Sequence, residues 1–119
     1  HLYCISKKKK RLFKVNLEGN DYSSMKTGNP MSGYGSFSSG PDNIHSVGSN
    51  SLYFTEEGKT PGVFVMNTNT KKYSTIFQLS GKGETTGISF NPSRTIMYAC
   101  EQRKGILYEF KLKSGQKFD

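Results

Sequence analysis

Tryptophan is absent from this chain, proline and cysteine are scarce at four and two residues, and no apolar run is longer than a strand. The longest such runs, for example Gly62-Val63-Phe64-Val65-Met66, fall far short of a membrane-spanning helix. Apolar residues make up only 33% of the chain, lean for a domain that must bury a core unaided. Seven tyrosines and eight phenylalanines nevertheless exclude a fully disordered polymer. The first residue is His1, with no initiator Met and no charged-then-apolar leader, so the chain is expected to be a processed or trimmed piece of something longer.

Several chemical signatures are missing as well. Cys4 and Cys100 are far apart and in no metal-like or redox-like spacing. Both sit in apolar strand patterns, which fits buried free thiols or, alternatively, one long-range disulfide. No Asn-x-Ser/Thr acceptor occurs, since Asn91 is followed by Pro92. There is no Gly-x-Ser-x-Gly nucleophile elbow, and Gly81-Lys82-Gly83 has neither P-loop spacing nor a following helix. His1 and His45 form no motif, and a non-catalytic role is the default for both.

What the chain does have is positive charge, a formal +8. It is concentrated in Lys7, Lys8, Lys9, Lys10 and Arg11, with a second scatter at Arg103, Lys104, Lys111, Lys113 and Lys117. Neither group carries the interleaved aromatics of an RNA-reading sheet or a helix for the major groove, so nucleic acid is not the expected partner. A lysine run between two short apolar strands reads as a solvated turn. Its functional alternative is docking on an acidic surface, protein or lipid, through Lys7 to Arg11.

The apolar pattern is one of short strands broken by turn residues, with no helix. Leu2-Tyr3-Cys4-Ile5 and Arg11-Leu12-Phe13-Lys14-Val15 flank the lysine run, and period two fits them better than 3.6. A second unit starts at Asp42-Asn43-Ile44, continues through Ser51-Leu52-Tyr53-Phe54-Thr55, turns at Glu56-Glu57-Gly58, and ends with Val63–Met66 and Lys72–Phe77. A third repeats that grammar in Thr86–Phe90, Thr95–Cys100, a turn at Glu101–Gly105, and Ile106–Lys111. Placing Ile44 over Ile88, Leu52 over Ile96 and Phe54 over Tyr98 gives a period of roughly 44 residues, within the range of propeller blades.

The predicted fold is therefore all-β, a partial β-propeller of about two and a half four-stranded blades. A β-sandwich remains the competing architecture. The expected organisation is a hairpin of a partial blade over 1–22, a Ser/Gly-rich loop over 23–39, one blade over 40–80 and another over 81–119. The loop reads as a lid, a docking loop or a disordered connection. Two and a half blades cannot close a ring, so the rest of a propeller or other protein subunits are expected against the open faces.

Two segments carry a family resemblance. Gly40-Pro41-Asp42-Asn43-Ile44 followed by Leu52–Gly58, and Glu84-Thr85-Thr86-Gly87-Ile88-Ser89-Phe90-Asn91-Pro92, are similar to blade starts of the PhoX-type phosphatase family. Together they cover Gly40 to about Phe110. Weaker likeness extends to the gluconolactonase and strictosidine synthase propellers. The resemblance implies phosphate-ester hydrolysis at a calcium and iron cluster on the propeller axis, in a secreted or exported protein. Within it, Glu84 falls on the signature acid, Asp42 and Asn43 on an axis-facing blade start, and Glu56 and Glu57 on its acidic turn. The departures are Gln102-Arg103-Lys104-Gly105, where the family often has Gln-His-Pro-Gly, and Ser93, where an Asp is expected.

Each acid also has a plain structural role available. Asp42 can close an Asx-turn, Asn43 can take left-handed geometry, Glu56 and Glu57 can be turn residues, and Glu84 can pair with Lys82. Calcium needs about six or more oxygen ligands, more than these five positions would readily supply. Two functions follow as expectations: a non-catalytic binding or structural module within a larger chain or assembly, or part of a secreted calcium/iron-dependent phosphoesterase.

Overall fold

The computed structural model describes residues 2–6, 11–15, 41–59, 61–70 and 72–119. Its described elements are nine strands and a single 3₁₀ turn, Lys113–Gly115. The first hairpin joins β1 (Leu2–Ser6) and β2 (Arg11–Val15). A meander follows, made of β3 (Pro41–Val47), β4 (Ser51–Gly58), β5 (Gly62–Asn67) and β6 (Tyr73–Gln78). A second meander consists of β7 (Gly83–Phe90), β8 (Ile96–Glu101) and β9 (Ile106–Lys111). Every pairing is antiparallel. The protein is all-β, as its sequence pattern implies, and the hairpins Leu2–Val15, Leu52–Met66 and Thr95–Lys111 all form.

Local chemistry accounts for the strand ends. β-branched and aromatic side chains fill Val63-Phe64-Val65, which suits the pleated backbone. Beyond Met66 the Asn67 side chain accepts the N–H groups of Asn69 and Thr70 at 3.0 and 2.9 Å, turning the chain into β6. Between β7 and β8, Asn91 Oδ1 accepts the Ile96 N–H at 2.9 Å while its amide group bonds Ser93 and Thr95.

The two meanders form one seven-stranded sheet in the order β6-β5-β4-β7-β8-β9, with β3 also paired to β4. β3 and β7 share one edge of β4: Ile44 to Val47 pair with its first half, and Gly83 and Glu84 pair with Gly58 and Glu57 at its end. The sheet therefore curls until the two meanders face each other. Val47, Tyr53 and Val63 from one meet Met97 and Ala99 from the other, with Phe77, Ile88, Phe90 and Phe110 around them. On the opposite face, Leu52, Phe54 and Met66 pack with Ile44 and Tyr73 beneath Ile5 of the first hairpin. Consequently β4 is covered on both sides, with Leu52, Tyr53, Phe54, Thr55 and Glu56 all buried. Burial on both faces explains why its sequence is a continuous apolar run rather than an alternation.

Two expectations are corrected by the pairing. In each repeat the buried glutamate of the second strand lies opposite the first strand on one side and the third on the other: Glu56 with Pro41 and Gly62, Glu101 with Thr85 and Ile106. Pro41 to Thr85 and Gly62 to Ile106 are thus steps of roughly 44 residues, but Glu56 to Glu101 is one residue longer. Ile44 does match Ile88, whereas Leu52 matches Met97 and Phe54 matches Ala99, rather than Ile96 and Tyr98. The added residue lies in the turn built by Asn91, where Arg94 takes φ +58°. A shift of one residue exchanges the two faces of a strand.

Secondly, Glu56, Glu57 and Gly58 are strand residues rather than a turn, because β7 gives the end of β4 a further partner. The last unit contributes three strands among the described residues, β7, β8 and β9. After β9 the backbone passes through Ser114 and Gly115, at φ +61° and +65°, and runs back between the meanders. There Phe118, 2% exposed, joins the core, and its N–H donates to the Arg94 carbonyl at 2.7 Å. The 23–39 loop lies outside the described residues.

Candidate functional site

One end of the curled sheet gathers the start of β3, the end of β4, the start of β7 and the end of β8. The metal-ligand candidates Asp42, Asn43, Glu56, Glu57 and Glu84 all come from these stretches.

Asn43 has a well-defined task. Its backbone N–H donates to Thr55 Oγ1 at 2.9 Å, which ties β3 to β4. Its side-chain Oδ1 accepts the Thr86 hydroxyl at 2.8 Å and the Gly87 N–H at 2.6 Å, which ties β3 to β7. Gly87 sits at the irregularity in the β7–β8 pairing and has φ +69°, a conformation that costs glycine little. Pro41 and Thr85, at matching steps of the two first strands, are both fully buried.

Glu57 and Glu84 stand directly opposite each other in the β4–β7 register, and each is half-buried. Glu56 is fully buried on the same strand end. Burial pushes the Tyr73 phenol well above its ordinary ionisation range, and the Glu56 carboxylate adds to that shift. Asp42 is half-buried beside Asn43.

Sequence reasoning missed Glu101. It is 1% exposed, and its carboxylate accepts the backbone N–H of Lys104 at 2.6 Å through Oε2. Through Oε1 it accepts those of Arg103 at 3.3 Å and Glu84 at 3.4 Å. It thereby organises the β8–β9 turn and ties that turn to β7. The available signal was its place in the repeat, the step that Glu56 fills in the preceding unit. Thr85 was also missed: among the described residues its Oγ1 is a buried polar side-chain atom without a hydrogen-bond partner.

Among the described residues, no group of three or more His, Cys, Asp or Glu side chains is placed to hold a metal ion. The oxygen of Asn43 and those of Glu101 are committed to hydroxyl and amide donors. Of the five ligand candidates, Asn43 thus has its side-chain oxygen occupied by donors of β7. What Asn43 visibly does is join strands of neighbouring units.

Elsewhere, His45 packs against the Phe90 ring at 5.1 Å between centroids. Cys100 is a free, half-buried thiol, and the side chain of Cys4 lies outside what the structure describes. Of the docking candidates, Lys7, Lys8, Lys9 and Lys10 lie outside the described residues, and Arg11 opens β2. No described helix is long and apolar enough to cross a membrane. Comparison with protein-family models, with curated proteins and with solved structures finds no match.

Proposed function

We propose that this chain is a propeller-derived, non-catalytic module that binds or scaffolds within a larger chain or assembly. The observation that carries the reading is the outer face of the β7–β9 meander. By strand register, Tyr98 takes the step of Tyr53 and Leu107 that of Val63. Tyr53 and Val63 are 3% and 0% exposed beneath the next meander, whereas Tyr98 is half-exposed and Leu107 is 64% exposed. A face that is covered in one repeat and open in the next is suited to a partner, either further blades or another subunit.

Size-exclusion chromatography with light scattering on residues 1–119 tests this reading. At about 25 cal/mol per Å² of apolar surface, a few wet side chains forfeit several kcal/mol. That loss is large beside a total stability of about 5–15 kcal/mol. The chain alone should be oligomeric or aggregated. A monomer with cooperative unfolding would show that its faces are sufficient to themselves.

A second reading, part of a secreted calcium/iron-dependent phosphoesterase of PhoX type, draws on the resemblance over Gly40–Phe110. It also draws on the Glu57–Glu84 juxtaposition. On this reading the two carboxylates are this chain's contribution, and the remaining ligands come from elsewhere. Calorimetry with calcium on the full-length protein, comparing wild type with Glu84→Gln, tests it. Unchanged calcium affinity and phosphatase activity would remove Glu84 from any site.

A further inference from the structure

We draw no further inference here: the strongest candidate, the carboxylate-rich strand ends where Asp42, Glu57 and Glu84 gather near the buried Thr85 hydroxyl, belongs to the site already described, and nothing in the structure aims that unpartnered hydroxyl at a ligand held among them.

Discussion

Asn43 and Gly87 occupy the same step of two successive repeats, and the side-chain carbonyl of the first accepts the backbone N–H of the second at 2.6 Å. The Thr86 hydroxyl shares that acceptor. A single side chain thus links the first strands of both meanders at the point where the sheet bends. Asn43→Ala leaves both donors without this partner and should cost about 1–3 kcal/mol in urea denaturation. In a double-mutant cycle with Thr86→Val the two losses should fall short of additive, since they share one interaction. Strict additivity would mean that the bond contributes nothing.

Glu101 should matter for stability even if the protein has no chemistry of its own. Its carboxylate gathers three backbone N–H groups in a buried position, and hydrogen bonds to a charged acceptor are the stronger kind. Glu101→Ala is expected to lower stability by about 2–4 kcal/mol. Exchange of the Arg103 and Lys104 amides should accelerate before the rest of the sheet opens. Glu101→Gln should recover part of the loss. Equal exchange rates in wild type and Glu101→Ala would show that the turn does not depend on this residue.

How much of this was legible in the sequence depended on whether a feature was local. The strands were legible because Val63-Phe64-Val65 and Ile106-Leu107-Tyr108 carry strand-forming residues between clear turn residues. The repeat was legible in Ile44 and Ile88. The facing of β8 was not, because the one-residue-longer turn at Asn91 is invisible to an alignment that keeps a constant period, and one residue reverses a strand's faces. Asn43 was singled out for a turn or a metal, yet its role depends on β7 lying beside β3, a contact some 44 residues away. Glu101 resembled the first residue of a surface turn rather than the buried end of β8, since burial of a carboxylate cannot be read from its neighbours in sequence.

Thr85 offers a test in the opposite direction. Its hydroxyl is buried without a hydrogen-bond partner, and the matching step in the preceding repeat is the apolar Pro41. Valine has nearly the same shape and brings no polar atom to desolvate. Thr85→Val should therefore be neutral or stabilising by up to about 1 kcal/mol, read as the midpoint of chemical denaturation. A loss of more than about 1 kcal/mol would mean that the hydroxyl has a partner, such as bound water.

Two tyrosines give the stability an alkaline limit. Burial raises the Tyr73 phenol above its ordinary value of 10.0, helped by Glu56. Burial, helped by Asp119, raises that of Tyr53 likewise. In the unfolded chain each ionises near 10, while in the folded one each stays neutral to higher pH. The stability they confer is therefore fully present below about pH 10 and is lost as pH climbs toward the folded-state values. Melting temperatures followed from pH 8 upward should fall steeply above about pH 10. Tyr73→Phe and Tyr53→Phe should each flatten that fall. An identical slope in both variants would assign the alkaline loss to other groups.

The segment after the 3₁₀ turn should behave as a clasp for the two meanders. Phe118 is 2% exposed and meets Tyr53 and Phe90 edge-on, at 6.3 and 5.5 Å between ring centroids. These rings come from β4 and β7, so Phe118 closes the core between the two halves of the curled sheet. Phe118→Ala leaves a ring-sized cavity there, and a loss of about 3–5 kcal/mol is expected. At Gly48, where φ is +61°, an added Cβ would push aside the Asp119 carboxylate, the end of an exposed side chain that can move. Gly48→Ala should therefore also destabilise, chiefly through backbone strain, by about 1–3 kcal/mol. Arg94→Ala, which removes only the exposed ion pair at 3.6 Å, should cost less than about 1 kcal/mol. That order, Phe118 before Gly48 before Arg94, is what packing predicts for the clasp. If Arg94→Ala proved the most damaging of the three, charge rather than packing would hold the segment in place.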